Sequence, residues 1–242
     1  MRKAALALAV VSAIISGCRD NSGIRGYWSS HEVDVEDYDA AQEVFADFVE
    51  QAVQASEADA FAAIDLLLKK ARKDEVTYLI YADWIIKGFS SIASPCRSCS
   101  IFVHAYDKVV SHGIVQGETL ERYQRRREVC LHNRPGDKAE LPALSGGEVA
   151  LEGRTLVLIV DQDCPSCREA LGRFSSAQWE GTSKLALCYG HGNLPEEPGW
   201  QFRRISREQT IIDTREAPLF YIIAPDGTVE RSYTPVYEED II

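Results

Sequence analysis

Residues 154–169, RTLVLIVDQDCPSCRE, join an apolar run to two cysteines that are two residues apart. The run Thr155–Val160 is almost entirely aliphatic, which predicts a buried β-strand. The residues that follow it predict one apolar face of a helix: Cys167, Ala170, Leu171 and Phe174. Pro165 suits the first position of that helix, because it has no amide hydrogen and its φ is already near the helical value. The segment therefore predicts a strand, a Cys-Pro-Ser-Cys turn and a helix.

This turn is expected to place its two thiols in different surroundings. Cys164 would lie at the helix N-terminus, where unpaired N–H groups and the positive end of the helix dipole stabilise a thiolate. Cys167 would lie one turn further on, on the apolar face, and would be less exposed. We therefore expect Cys164 to be the nucleophile of a thiol–disulfide exchange and Cys167 to resolve the mixed disulfide, with Pro165 and Ser166 forming the loop between them.

The chain from residue 134 to residue 242 predicts an α/β domain. Its strand-like segments are Val149–Leu151, Thr155–Val160, Lys184–Cys188 and Gln201–Ile205, and Glu208–Asp213 is a predicted short helix. Leu219–Ala224 and Thr228–Tyr233 flank the turn Pro225-Asp226-Gly227 and predict a β-hairpin. One central mixed sheet with helices on its faces accommodates this order. Cys188, inside a short strand, is predicted to be a buried core thiol.

Residues 36–133 predict an all-α domain. Apolar residues recur at helical spacing in three stretches between residues 36 and 90, and two further helices are predicted at about 101–112 and 117–130. The breaker-rich segment NRPGDKAELPALSGG follows them. These apolar stripes are typical of packing between helices and indicate no chemistry of their own.

The first residues predict export and a lipid anchor. Arg2 and Lys3 precede a small and aliphatic run that is too short to span a bilayer, which is typical of a signal peptide over residues 1–17. The sequence Ile15-Ser16-Gly17-Cys18 resembles a bacterial lipobox, which implies lipidation of Cys18 after cleavage; an ordinary secretory signal is the alternative. Residues 18–35 are polar and predict a tether. We therefore expect a location in the cell envelope, anchored to a membrane by lipid and facing the periplasm.

The charge of the mature chain argues against some partners. Removal of residues 1–17 leaves 24 basic and 37 acidic residues, a formal charge of −13. Such a surface repels phosphate, so nucleic acid is not expected as a partner.

The C-terminal part resembles the thioredoxin-like domains of TlpA/ResA type, which are envelope thiol–disulfide oxidoreductases. The residues that carry the resemblance are TLVLIVDQDCPSC and REAPLFYIIAPDGTVERSY, with Pro218 lying 51 positions after Cys167. It implies a disulfide reductase or isomerase that acts on protein disulfides or dithiols without a cofactor and exchanges electrons with a membrane donor. It also implies a cis Ala217–Pro218 bond that faces the cysteines and positions the substrate. The helical part resembles the uncharacterised helical domains that precede such domains in envelope lipoproteins.

The sequence departs from this family at two places. Asp163 stands where an aromatic residue usually precedes the first cysteine, and the strand Thr155–Val160 lacks the buried carboxylate of many thioredoxin-like proteins. We expect the carboxylates of Asp161 and Asp163 to raise the pKa of Cys164 and to oppose the helix dipole.

Alternative interpretations remain open at this point. A four-thiolate zinc site could use Cys96, Cys99, Cys164 and Cys167. The Cys-Pro-Ser-Cys segment could instead be a structural disulfide in a lipoprotein that acts as a binding or assembly module. The five histidines, His31, His104, His112, His132 and His191, show no metal-ligand spacing and are expected at the surface or in hydrogen bonds.

The second cysteine pair, in SPCRSCS, also allows several interpretations. Cys96 and Cys99 precede a predicted helix and have Arg97 beside them, which favours a thiolate. The pair is compatible with a local disulfide, a disulfide between one of the two cysteines and Cys130, a second redox centre, or free thiols.

Overall fold

The computed structural model describes residues 23–91, 94–142, 153–174, 179, 181–193, 196–206, 211–212 and 217–232. Its N-terminal part is helical and its C-terminal part contains one mixed sheet, as the sequence predicts. Within these residues, no helix is both long enough and apolar enough to cross a membrane.

The helical part begins with a 3₁₀ turn, Ile24–Gly26, and contains six helices. They are α1 (Tyr27–Ser30), α2 (Tyr38–Ala52), α3 (Glu57–Ala71), α4 (Glu75–Ser90), α5 (Cys99–His112) and α6 (Gly117–Leu131). Four of these helices begin at a polar residue whose side chain accepts a hydrogen bond from a first-turn N–H; these residues are Asp37, Ser56, Asp74 and Ser98. Such caps satisfy donors that the helix itself leaves unpaired, which explains why the helices start where they do.

Helix α4 lies at the centre of this part and contacts α2, α3, α5 and α6. It buries Tyr78, Tyr81, Ile85 and Phe89 almost completely. The predicted apolar stripes therefore form a core between helices.

The structure corrects the predicted tether. Trp28 is fully buried and packs against Phe48 and Tyr81, with ring centroids 5.1 and 5.8 Å away. The Lys70 ammonium donates to the carbonyl of Trp28 at 2.5 Å and to that of His31 at 2.8 Å. Residues 24–30 thus belong to the helical core, and the prediction that they form a tether is wrong. Residues 1–22, which include the predicted signal peptide and Cys18, lie outside the described residues.

Among its described residues, the C-terminal part contains five strands and helix α7 (Pro165–Arg173). The strands are β1 (Thr155–Asp161), β2 (Ser183–Tyr189), β3 (Gln201–Arg204), β4 (Leu219–Ile223) and β5 (Val229–Ser232), in the order β3-β2-β1-β4-β5. β1, β2 and β3 are parallel, whereas β4 is antiparallel to both β1 and β5. The predicted hairpin is confirmed. The predicted strand Val149–Leu151 lies outside the described residues, as does most of the predicted helix Glu208–Asp213.

Both faces of the sheet are covered. Leu156, Leu158 and Val160 pack on the face that α7 covers, whereas Val157 and Ile159 pack on the opposite face. That opposite face also receives Val129 from α6 and Leu141 from the segment that follows it. Because β1 is covered on both sides, its sequence is a continuous apolar run rather than an alternating one.

The segment after α6 connects the helices to the sheet. Gly136 N–H donates to the carbonyl of Val229 at 2.8 Å, and Val229 N–H donates to that of Asp137 at 2.9 Å. Ala139 N–H donates to the carbonyl of Gly227 at 2.9 Å. Residues 136–139 therefore run beside the β4–β5 hairpin, and the end of α6 is held against the sheet.

Candidate active site

The Cys-Pro-Ser-Cys turn lies where β1 passes into α7. Cys164 is the N-cap of α7, with an extended backbone, and Pro165 is its first residue. Cys164 N–H donates to the carbonyl of Asp161 at 3.2 Å, and Asp163 N–H donates to the Asp161 carboxylate at 2.9 Å. The strand-to-helix placement that the sequence predicts is therefore present, and the two residues between β1 and Cys164 form a tight turn.

Cys164 is the more exposed of the two thiols. Its sulfur lies 2.9 Å from the hydroxyl of Ser166. Burial raises the pKa of Cys164, but the Ser166 hydroxyl, the Cys167 thiol and the backbone N–H groups of the first turn lower it by more, so the pKa lies below its ordinary value. These N–H groups belong to Ser166 and Cys167, in the first turn of α7, where the helix itself leaves them unpaired. Cys164 is thus the thiol that ionises first.

Cys167 is 1% exposed and lies beneath α7 on the sheet. Burial raises its pKa to about 12, and the hydrogen bond with Cys164 adds to the rise. The backbone N–H of Asp161 donates to the Cys167 sulfur at 3.4 Å and acts in the opposite direction. The two thiols of one turn therefore have pKa values shifted in opposite directions, because one lies at the helix end and the other lies in the core.

The pKa of Cys164 is lowered although two carboxylates flank the turn, so the expected rise is wrong. Asp163 is exposed, and the largest influences on the pKa of Cys164 are burial, the Ser166 hydroxyl, the Cys167 thiol and the first-turn N–H groups. The Asp161 carboxylate contributes to the raised pKa of Cys167. Water screens a charge at the exposed position 163, whereas a thiol inside the core feels a nearby carboxylate more strongly.

The Ala217–Pro218 peptide bond is cis, as the resemblance implies. β4 is antiparallel to β1, and Leu219 pairs with Ile159. The residues before Leu219 therefore lie beside the C-terminal end of β1, where the cysteine turn begins. Ala217 packs against the same apolar cluster as Cys164 and contributes to the cluster on the other face. The register of β4 against β1 therefore places Ala217–Pro218 at the end of the sheet where the cysteine turn lies.

Arg204, a residue that no sequence motif indicates, connects the loop after β2 to Gln162, which lies two residues before Cys164. Its guanidinium donates to the carbonyls of Gly190 and Gly192 at 2.6 and 2.7 Å, and to the Gln162 side chain at 3.2 Å. Gly190 has a φ of 107°, and a Cβ there would lie 3.4 Å from the Asp161 carboxylate. The sequence signal for this contact is the pair of glycines on either side of His191, because glycine allows two backbone segments to approach closely after a strand.

Among the other cysteines, Cys99 and Cys130 form a disulfide. Of the alternatives for the second pair, the structure shows the bond of one cysteine to Cys130, and it corrects the zinc alternative, since Cys99 is not available as a thiolate ligand. Cys96 remains a free, buried thiol. Cys188 is fully buried as predicted, and burial raises its pKa to about 11 although Arg204 acts in the opposite direction.

The histidines lie in hydrogen bonds or at the surface. Histidines 31, 104, 112 and 132 each have a hydrogen-bond partner within the protein, and His191 is exposed. Over the described ranges, no group of three or more His, Cys, Asp or Glu residues is arranged to hold a metal ion.

The chain is similar to a thioredoxin-like protein from Bacteroides caccae of known crystal structure. The TM-score is 0.67, the likeness covers 88% of this chain and 87% of that one, and the two sequences are 16% identical. No protein-family profile matches the sequence, and no curated protein matches it significantly. At this identity the likeness shows the fold alone: an all-helical region followed by a thioredoxin-like α/β domain.

The contact between Cys164 and Ser166 makes a prediction about pH dependence. In Ser166→Ala the lost hydrogen bond raises the pKa of Cys164, so less thiolate is present at neutral pH and alkylation slows several-fold. Well above the ordinary thiol pKa of 9.0, both proteins are ionised and the rates converge. The measurement is the rate of iodoacetamide labelling of the tryptic peptide 155–168 as a function of pH.

The matched control is Ser111→Ala, which removes an exposed hydroxyl in α5 that bonds only to the carbonyl of Lys108 among the contacts described. It leaves the pH profile unchanged. A Ser166→Ala profile that overlays the parent profile would show that Ser166 does not stabilise the thiolate.

Proposed function

We propose that this protein is a thiol–disulfide oxidoreductase that reduces or isomerises protein disulfides through Cys164 and Cys167. The observation that carries the proposal is the opposite shift of the two thiol pKa values within one Cys-Pro-Ser-Cys turn of a thioredoxin-like fold. An exchange reaction needs one thiol that is already a nucleophile and a second thiol that is held back. Both cysteines are free thiols in the structure, which is the form that starts a reduction.

The reaction has two steps. In the first, the Cys164 thiolate attacks one sulfur of a substrate disulfide; a Cys164–substrate bond forms, the substrate S–S bond breaks, and the other substrate sulfur leaves as a thiolate that takes a proton. In the second, Cys167 loses its proton and attacks Cys164, which releases the first substrate sulfur. The substrate gains two electrons and two protons, and the enzyme is left with a Cys164–Cys167 disulfide.

The geometry supports this division of roles. Cys164 is partly exposed, and the Ser166 hydroxyl beside its sulfur can donate to a thiolate. The buried Cys167 does not compete for the substrate, because its raised pKa keeps it protonated until a mixed disulfide has formed. Pro218, at the same edge of the sheet, shapes the surface on which we propose that the substrate is positioned.

We further propose that the protein acts in the cell envelope and is attached to a membrane by a lipid on Cys18. The support is the lipobox-like sequence after a charged N-terminus and an apolar run. A membrane-bound electron donor that reduces the Cys164–Cys167 disulfide would complete the cycle.

Trapping tests the proposed roles. In Cys167→Ser the second step is blocked, so substrate proteins accumulate as mixed disulfides on Cys164, visible as adducts on non-reducing gels. In Cys164→Ser they do not accumulate, because the nucleophile is absent. Cys188→Ser is the matched control, since it removes a different buried thiol and traps nothing.

Equal trapping by the two active-site variants would contradict the assignment of nucleophile and resolving cysteine. Absence of adducts in every variant would contradict the oxidoreductase itself. The fold would then act as a binding or assembly module.

Lipidation has its own test. The Cys18→Ala protein is expected to stay as an uncleaved precursor and to take up no labelled fatty acid, because lipoprotein processing requires the cysteine. Pulse labelling with a fatty acid and comparison of the two proteins by gel electrophoresis measure this. Normal cleavage and release of Cys18→Ala would indicate an ordinary secretory signal.

A further inference from the structure

The helical part brings a free thiol and a disulfide into one buried region. Cys99 is bonded to Cys130, with the two Cα atoms 5.4 Å apart, and Cys96 is a free thiol that is 9% exposed. Cys96 and Cys130 belong to the same cluster of buried residues, and Cys99 packs against that cluster. A possible nucleophile and a bond that it could attack therefore share the core of the helical part.

The backbone holds Cys96 and Cys99 at a spacing that permits a bond between them. They are separated by two residues, as are Cys164 and Cys167. Cys96 N–H donates to the Ser94 hydroxyl at 3.2 Å, and Ser98 N–H donates to the carbonyl of Phe89 at 2.9 Å. These two bonds hold the backbone of Cys96 and Ser98, and Cys99 follows as the first residue of α5.

The positively charged side chain of Arg97 lies beside the disulfide. Its guanidinium donates towards the Cys99 sulfur at 3.3 Å and towards the Cys130 sulfur at 3.8 Å. A disulfide is neutral and gains little from a cation, whereas a sulfur that leaves as a thiolate is stabilised by one. The position of Arg97 therefore favours opening of the bond between Cys99 and Cys130.

We propose that Cys96, Cys99 and Cys130 form a second thiol–disulfide exchange site, in which Cys96 displaces Cys130 from Cys99. The Cys96 thiolate attacks the Cys99 sulfur, the Cys96–Cys99 bond forms and the Cys99–Cys130 bond breaks. Cys130 leaves as a thiolate beside Arg97 and takes up the proton that Cys96 has lost. No electrons are gained or lost overall, so the step needs neither an oxidant nor a reductant.

The exchange changes what the disulfide connects. In the structure it links α5 to the last turn of α6, where the neighbouring Val129 packs into the core beneath the sheet. After exchange the bond spans only the turn before α5, and the end of α6 loses its covalent link. Burial and the Glu50 carboxylate raise the pKa of Cys96, which keeps it protonated and maintains the Cys99–Cys130 bond at rest.

Disulfide mapping tests the proposal in the full-length protein with Cys164→Ser and Cys167→Ser, so that the result is independent of the proposed oxidoreductase. Trypsin cleaves after Arg97 and therefore separates Cys96 (peptide 88–97) from Cys99 (98–108) and Cys130 (128–138). After incubation at mildly alkaline pH, acid quenching and alkylation, we expect peptide 98–108 linked to 88–97, with an equal amount of alkylated Cys130. Exclusive linkage of 98–108 to 128–138 at all times would contradict the proposal.

Variants identify the attacking thiol and the role of the cation. Cys96→Ser, or Cys96→Ala if the serine variant does not fold, abolishes alkylation of Cys130, whereas Cys188→Ser leaves it unchanged. Arg97→Gln slows it on the order of tenfold, because a leaving thiolate loses its charged hydrogen-bond donor. Alkylation of Cys130 at the parent rate in the Cys96 variants would overturn the proposal, and an unchanged rate in Arg97→Gln would overturn the assigned role of Arg97.

Discussion

The burial of β1 is the constraint on which the candidate site depends. β1 pairs with β2 on one side and with β4 on the other, and six of its seven residues are buried. After these buried residues the chain reaches solvent where β1 ends, and there it turns into α7 within three residues. That turn leaves Cys164 at a helix N-terminus and places Cys167 on the face that packs against the sheet. The opposite pKa shifts of the two thiols are therefore a consequence of the junction between β1 and α7.

The same junction is supported from neighbouring strands. The register of β4 brings the cis Ala217–Pro218 bond to the end of β1, and Arg204 at the end of β3 ties the loop after β2 to Gln162. The helical part contacts the sheet on the face opposite to α7, through Val129. Val129 precedes Cys130, which is bonded to Cys99. Changes at that disulfide would reach the sheet through α6 rather than through the active-site turn.

The sequence predicts local features of this protein well. An apolar run, a proline at a helix start and a glycine turn act through the backbone of a few residues, so β1, α7 and the β4–β5 hairpin are predicted close to their observed bounds. The helices α2 to α6 are predicted for the same reason, since each has a long apolar stripe.

Features that depend on tertiary contacts are predicted less well. The short stretch 24–30 reads as polar, although Trp28 is buried against side chains from α2 and α4. The pKa of Cys164 is lowered although Asp163 is close in sequence, because exposure decides how far a charge acts, and exposure is a property of the fold. Arg204 lies about forty residues from Gln162 in the chain, and no local pattern indicates that contact. Which cysteine bonds to Cys130 likewise follows from the packing of α5 against α6.

The most direct test of the central claim is the equilibrium of the Cys164 and Cys167 pair with glutathione. Both cysteines lie in one tryptic peptide, residues 155–168, whose mass after acid quenching and alkylation distinguishes the dithiol, the internal disulfide and the glutathione adduct. We expect the dithiol to convert reversibly into the Cys164–Cys167 disulfide, with little adduct, because the resolving thiol is one helical turn away. Accumulation of a stable adduct on Cys164, or a peptide that stays in the dithiol form under oxidised glutathione, would contradict the claim that the turn is a redox-active pair.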